Sequence, residues 1–193
     1  MPKLDPETFR TMPWKNGGGT TIEALTLPPG ADLDTFELRV SMAHVEVAGP
    51  FSRFLGIDRT LVVMDGEGMT LRMADGSAMT LGQGSAPFTF AGDDPVHATL
   101  SAGAIRDFNV MTRRSVLRHH ARRIAVDGEL RFACAGVLSM ILVLDGDATA
   151  SDGAEETPLH RGDLFTVAQR DALVILRSAP HAELLRVDVF RHS

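Results

Sequence analysis

Two stretches of the chain repeat one pattern of short apolar runs and glycine turns. Leu61-Val62-Val63-Met64-Asp65-Gly66-Glu67 lines up with Ile141-Leu142-Val143-Leu144-Asp145-Gly146-Asp147, an offset of about 80 residues. Further on, Leu81-Gly82-Gln83-Gly84 matches Leu159-His160-Arg161-Gly162, and Phe88-Thr89 falls near Phe165-Thr166. The turn at Asp75-Gly76 has a counterpart at Asp152-Gly153. Such an offset is far longer than the period of a solenoid repeat, so the pattern reads as a duplicated unit. Within each copy the runs are strand-length. Asp75-Gly76, set between Met69–Met73 and Met79–Leu81, is a strong hairpin signal. Evenly spaced short strands suit small barrels and jelly rolls, because closing or doubling a sheet manages its edges.

The rest of the chain fits an all-β reading. From Phe36 to Val47 the residues alternate, with Phe36, Leu38, Val40 and Met42 on one face and Glu37, Arg39, Ser41 and Ala43 on the other. At 193 residues and 44% hydrophobic content there is ample material for one large domain or two small ones. A net charge of −6 argues against nucleic acid as a partner. The basic stretch from Met111 to Arg123 reads as a solvated connector or the start of the second unit. The single cysteine, Cys134, sits among small residues and reads as a buried apolar side chain. The first residues carry no apolar core of a signal peptide, and no apolar run approaches the ~20 residues of a membrane helix. The expectation is a cytoplasmic protein with no membrane partner.

Met12-Pro13-Trp14-Lys15-Asn16-Gly17-Gly18-Gly19-Thr20 places the only tryptophan, one of two lysines and an amide directly before three glycines. Three successive glycines imply a backbone conformation closed to other residues, or a close approach of the backbone. Exposed N–H groups in such a loop can cradle an anion, which Lys15 would reinforce. The competing reading is a turn anchored by a buried indole.

The chain resembles the HutD/Ves family of bicupin-like proteins. Five blocks carry the resemblance: the Met12–Thr20 motif with Glu23; Arg39-Val40-Ser41-Met42-Ala43; Gly49-Pro50-Phe51-Ser52 with Gly56-Ile57-Asp58-Arg59; Phe90-Ala91-Gly92-Asp93; and Asp107-Phe108-Asn109-Val110-Met111. The resemblance implies an all-β bicupin, two double-stranded β-helix (jelly-roll-like) barrels in one compact unit. Residues 1–115 would form the barrel with the motifs and the pocket, and residues 116–193 the internal repeat. It also implies an association with bacterial histidine utilisation and no established reaction for the class. Most cupins hold a metal through a His-x-His pair, a Glu and a later His. The corresponding positions here are Phe51, Arg53 and Asp58, which are no ligand set, and His97 alone makes no site. Neither a metal nor another cofactor is expected.

Histidine breakdown passes through small carboxylates, so a pocket for them needs cations and N–H donors. Lys15, Arg39 and Arg59 are the candidate cations; arginine grips a carboxylate bidentately. Asn16 and Asn109 can donate to an oxygen, and Trp14 can present a face to an imidazole or acrylate. Ser41 shares the polar face of Arg39, which lies either in solvent or inside the barrel; the resemblance favours the interior. Arg59 has Asp58 or Asp107 as a structural partner, Asp107 also reads as a turn residue, and Trp14 also reads as a plug of the barrel mouth. The expected ligand-binding set is therefore Trp14, Lys15, Asn16, Arg39, Ser41, Arg59, Asp107 and Asn109. The expected role is a metal-independent small-carboxylate binder that modulates histidine catabolism, with a homodimer expected from cupin-like strand edges. Two rivals remain: an acid/base enzyme using Glu23 or Asp107, and a protein-interaction module. No catalytic signature such as Gly-x-Ser-x-Gly or a phosphate-binding loop occurs.

Overall fold

A computed structural model describes residues 3–151 and 155–192, so the Asp152-Gly153 turn lies outside the described residues. The chain divides into two compact units, Pro6–Leu117 and Arg118–Ser193, the latter joined by Met1–Asp5. The first residues thus leave the expected 1–115 unit. Leu4 donates its N–H to the Leu164 carbonyl, and Lys3 Nζ pairs with Asp163 at 2.9 Å.

Pro6–Leu117 contains ten strands: β1 (Arg10–Pro13), β2 (Gly19–Leu27), β3 (Leu38–Val45), β4 (Gly49–Pro50), β5 (Ile57–Asp65), β6 (Met69–Met73), β7 (Ala78–Leu81), β8 (Phe88–Ala91), β9 (Val96–Leu100) and β10 (Ile105–Arg113). They form two antiparallel sheets, in the orders β1-β2-β3-β10-β5-β8 and β4-β9-β6-β7. The core lies between them. Val45, Leu61, Val63 and Ile105 come from the first sheet, and Met69, Leu71, Val96 and Ala98 from the second. Asp75-Gly76 closes the β6–β7 hairpin as expected: Met73 N–H donates to the Ser77 carbonyl, and Asp75 Oδ1 accepts the Ser77 N–H.

The basic stretch is shared by the two units: Met111–Arg113 ends β10, and β11 (Leu117–Ala133) carries its later residues into the other unit. Two of its arginines are held in ion pairs. Arg114 pairs with Asp58 and Asp93, and Arg123 with Glu183. There follow β12 (Leu138–Gly146), β13 (Ala148–Ser151), β14 (Glu156–Leu159), β15 (Leu164–Val167) and β16 (Leu173–Arg191). β16 is long enough to pair with β13 near one end and β12 near the other. Cys134 is fully buried here, in a core with Val126, Ile141, Phe165 and Leu184.

The repeat read in the sequence extends to strand register. Leu61 faces Phe88 on β8 and Asn109 on β10. Its counterpart Ile141 faces Phe165 on β15 and Arg186 on β16. The fold is all-β and cupin-like.

Candidate functional site

A cavity of about 570 Å³ opens in the Pro6–Leu117 unit, and all eight expected site residues line it. Its polar wall is built by three neighbouring strands. Arg39 and Arg59 flank Met111 in one row across β3, β10 and β5; Ser41, Asn109 and Leu61 form the next row, and Ala43, Asp107 and Val63 the one after. Odd-numbered residues of all three strands therefore face the cavity or the core. The polar face of β3 is the inner one, while Leu38 and Val40 are fully buried on the other.

Arg59 is the centre of this wall. Its Nη2 donates to Asn109 Oδ1 at 3.0 Å and its Nη1 to the Ser52 carbonyl at 3.2 Å. The guanidinium lies over Phe51 at 4.9 Å, Phe90 at 5.2 Å and Phe54 at 5.6 Å, a set of faces that favours a cation. Its Nε is buried with no hydrogen-bond partner. Burial pulls the guanidinium down to about 10, opposed by Asp107 and aided by the positive charge of Arg39. Asp58 points the other way, to Arg114, because adjacent residues on a strand face opposite sides.

Asp107 sits in mid-strand on β10, not in a turn. It accepts from Asn109 Nδ2 and from the Ala43 N–H. Burial nonetheless pushes its carboxyl up to about 7, against the lowering pull of Arg59 and these hydrogen bonds. Asn109 thus bridges Arg59 and Asp107, with both ends of its amide engaged; it orients its neighbours rather than offering a free donor. Arg39 is compensated separately by Glu23, whose Oε2 lies 2.6 Å from Nε. That pairing makes Glu23 a structural partner. With Lys15 exposed at the rim, three cations and one carboxylate, Asp107, line the cavity, while Glu23 pairs with Arg39 outside the lining. The cavity is electropositive inside an acidic chain.

The tryptophan–glycine loop closes one side. Trp14 Nε1 donates to Thr21 Oγ1 at 2.8 Å, which fixes the ring at the cavity wall. The expected anion cradle does not form at Gly17 and Gly18. The Gly17 N–H is taken by the Trp14 carbonyl and the Gly18 N–H by Asn16 Oδ1. The glycines serve geometry instead. Gly17 has φ 71°, and a Cβ on Gly19 would lie 2.3 Å from the His44 carbonyl and 3.2 Å from the Trp14 ring. Gly19→Ala must push β2 from β3 and displace Trp14. A loss of about 2–3 kcal/mol is expected, a melting temperature lower by about 5–10 °C. Unchanged melting would show that the loop yields freely.

Among the described residues, no three of His, Cys, Asp or Glu are grouped to hold a metal ion, and no helix is long and apolar enough to cross a membrane.

The HutD family model matches residues 6–185. This chain belongs to the HutD family. It is 40% identical over 178 residues to an uncharacterised 21.2 kDa protein in the hutC 3′ region of Pseudomonas putida, covering 89% of this chain and 88% of that one. It is 38% identical over 130 residues to protein Ves of Cronobacter sakazakii, covering 65% and 70%. The structure superposes on HutD from Pseudomonas fluorescens SBW25 with TM-score 0.81 at 28% identity, covering 100% and 99% of the two chains. A conserved protein of unknown function from Pseudomonas aeruginosa PAO1 gives TM-score 0.89 at 30% identity, covering 98% of each. A cupin 2 conserved barrel domain protein from Leptotrichia buccalis, 9% identical with TM-score 0.63 and covering 93% and 96%, shares the fold alone.

The HutD motifs now have physical roles. Asp93 Oδ1 accepts the Gly56 N–H and its Oδ2 holds Arg114, which ties the Phe90–Asp93 block to the loop ahead of Arg59. The residues that sequence reasoning missed are the aromatic seat of Arg59 and Leu33, which lies half-exposed on the cavity lining.

Proposed function

We propose that this HutD-family chain binds a small carboxylate of histidine catabolism in the Pro6–Leu117 cavity, and that occupancy tunes flux through that pathway. One observation carries the reading. Arg59 is a buried guanidinium with an unpartnered Nε, and no carboxylate of the described residues lies within ion-pair distance of it. Buried cations are ordinarily paired, and a planar carboxylate matches this fork. Trp14, Phe51, Phe54 and Met111 supply apolar walls for the rest of a ligand with an acrylate, imidazole or short aliphatic body. HutD membership supports the pathway, as does the position of the Pseudomonas putida relative beside hutC.

Thermal unfolding of the purified chain against histidine, urocanate, formiminoglutamate, formylglutamate, glutamate and formate tests this. A ligand at about 100 times its Kd should stabilise by roughly 2.7 kcal/mol, a shift on the order of 5–10 °C. No shift with any of them would sink the binding reading and leave a protein-interaction role in front. A second reading rests on Asp107, a carboxyl near neutrality in the cavity and thus suited to acid–base chemistry on the bound compound. Turnover of a panel compound that disappears in Asp107→Asn would support it.

A further inference from the structure

The Arg118–Ser193 unit holds a second buried polar cluster, made by Ser139, Arg186 and Asp188. Arg186 Nη2 donates to Asp188 Oδ1 at 2.9 Å, and Arg186 Nε lies 2.8 Å from Asp188 Oδ2 without the alignment of a hydrogen bond. Ser139 Oγ donates to the same Asp188 Oδ1. Arg186 Nη2 also donates to the Ala133 carbonyl at 3.1 Å, and the guanidinium lies 3.9 Å over the Phe132 ring.

This is the setting of Arg59 with one group added. In each unit a buried guanidinium covers a phenylalanine, Phe51 or Phe132, and donates to the carbonyl of the next residue, Ser52 or Ala133. The strand registers agree as well. Arg59 faces Met111, and the matching pair is Ser139 facing Asp188; Leu61 faces Asn109, and the matching pair is Ile141 facing Arg186. The guanidinium has moved to the neighbouring strand but kept its seat. Where the Pro6–Leu117 unit has the apolar Met111, the Arg118–Ser193 unit has the carboxylate of Asp188.

We infer that Arg186, held in place by the Phe132 ring and the Ala133 carbonyl, forms with Ser139 a carboxylate-binding site whose occupant is the chain's own Asp188. The side chain of Asp188 is in effect a tethered acetate, held side-on by the guanidinium and by one hydroxyl. The inference extends the reading of Arg59 but stands on the Arg186 geometry itself. Asp188→Ala vacates the site, leaving room for a free formate or acetate ion.

Thermal unfolding of the full chain carrying Asp188→Ala, in sodium formate and in sodium chloride at matched ionic strength, tests it. Formate should raise the variant's melting temperature by on the order of 3 °C or more beyond its effect on the wild type. The double variant Arg186→Met/Asp188→Ala should show no such gain, nor should Asp188→Asn, whose amide still fills the space. If Asp188→Ala does not stay folded without a ligand, its refolding yield in formate against chloride reads the same quantity. A response no larger than that of the wild type, or one that chloride reproduces, overturns the inference. The wild-type formate response reads the Arg59 cavity, so a failure there is distinguishable from a failure at Arg186.

Discussion

Arg59→Met is expected to abolish ligand-dependent stabilisation while costing the unliganded fold little. Methionine keeps an unbranched apolar chain against Phe51, Phe54 and Phe90 but removes the fork. Losing a charge-assisted contact of this kind costs about 2–5 kcal/mol of binding, so affinity should fall by roughly 30-fold to several thousand-fold. The fold should suffer less, because the guanidinium is a buried cation whose desolvation is poorly repaid in the empty cavity. The Ser52 carbonyl and Asn109 Oδ1 lose their donor, which limits the gain. Melting curves with and without the best panel compound measure both effects. A loss of melting temperature in the empty variant as large as the ligand shift itself would make Arg59 a structural residue.

The second large effect is on pH. Asp107 titrates near 7 in the folded chain and near 3.9 when unfolded. Between those values the folded chain keeps a proton that the unfolded chain has released. The contribution of Asp107 to stability is therefore complete below pH ~4, drains as pH rises, and is gone above ~7; the shift sets the loss at roughly 4 kcal/mol. Asp93 and Asp163 run the opposite way, since hydrogen bonds to Gly56 N–H and Arg114, and to His160 N–H and Lys3, hold their carboxyls below the usual range. The wild type must accordingly be compared with Asp107→Asn. Their stability difference should change steadily from pH 4 to 7 and then level off; a flat difference would mean that Asp107 is ionised throughout. Binding of a carboxylate in the cavity would be linked to the same proton. A ligand anion seated on Arg59 would stand near Asp107 and disfavour its charged form, with Arg39 already neutralised by Glu23. Carboxylate affinity should then weaken above pH ~7 in the wild type and much less in Asp107→Asn.

The duplication was legible because strand, Asp-Gly turn and strand are local signals, and each copy repeats them in order. The cavity's polar lining was legible as residue types, since arginine, asparagine and an indole cluster in the sequence motifs. Their arrangement was not. Alternation on β3 shows two faces but not which one points inward, and here both are buried, with the charged face inside. Asp107 and Asn109 look like turn residues in a short window; only pairing with β3 and β5 makes them a strand. The aromatic seat of Arg59 draws on Phe51, Phe54 and Phe90, brought together by pairing between β5 and β8 and by the loop before β5. No period links those positions. The glycine loop misled for a related reason: its N–H groups look available until the Asn16 side chain and the Trp14 carbonyl are seen to take them.

The chain has one tryptophan and no tyrosine, and that indole is pinned beside the cavity by Thr21. Excited beyond the phenylalanine band, its ultraviolet emission therefore comes from beside the cavity alone. A ligand filling the cavity would change the water and charge around this one ring. If a ligand binds there, this indole would report its occupancy optically in unmodified material.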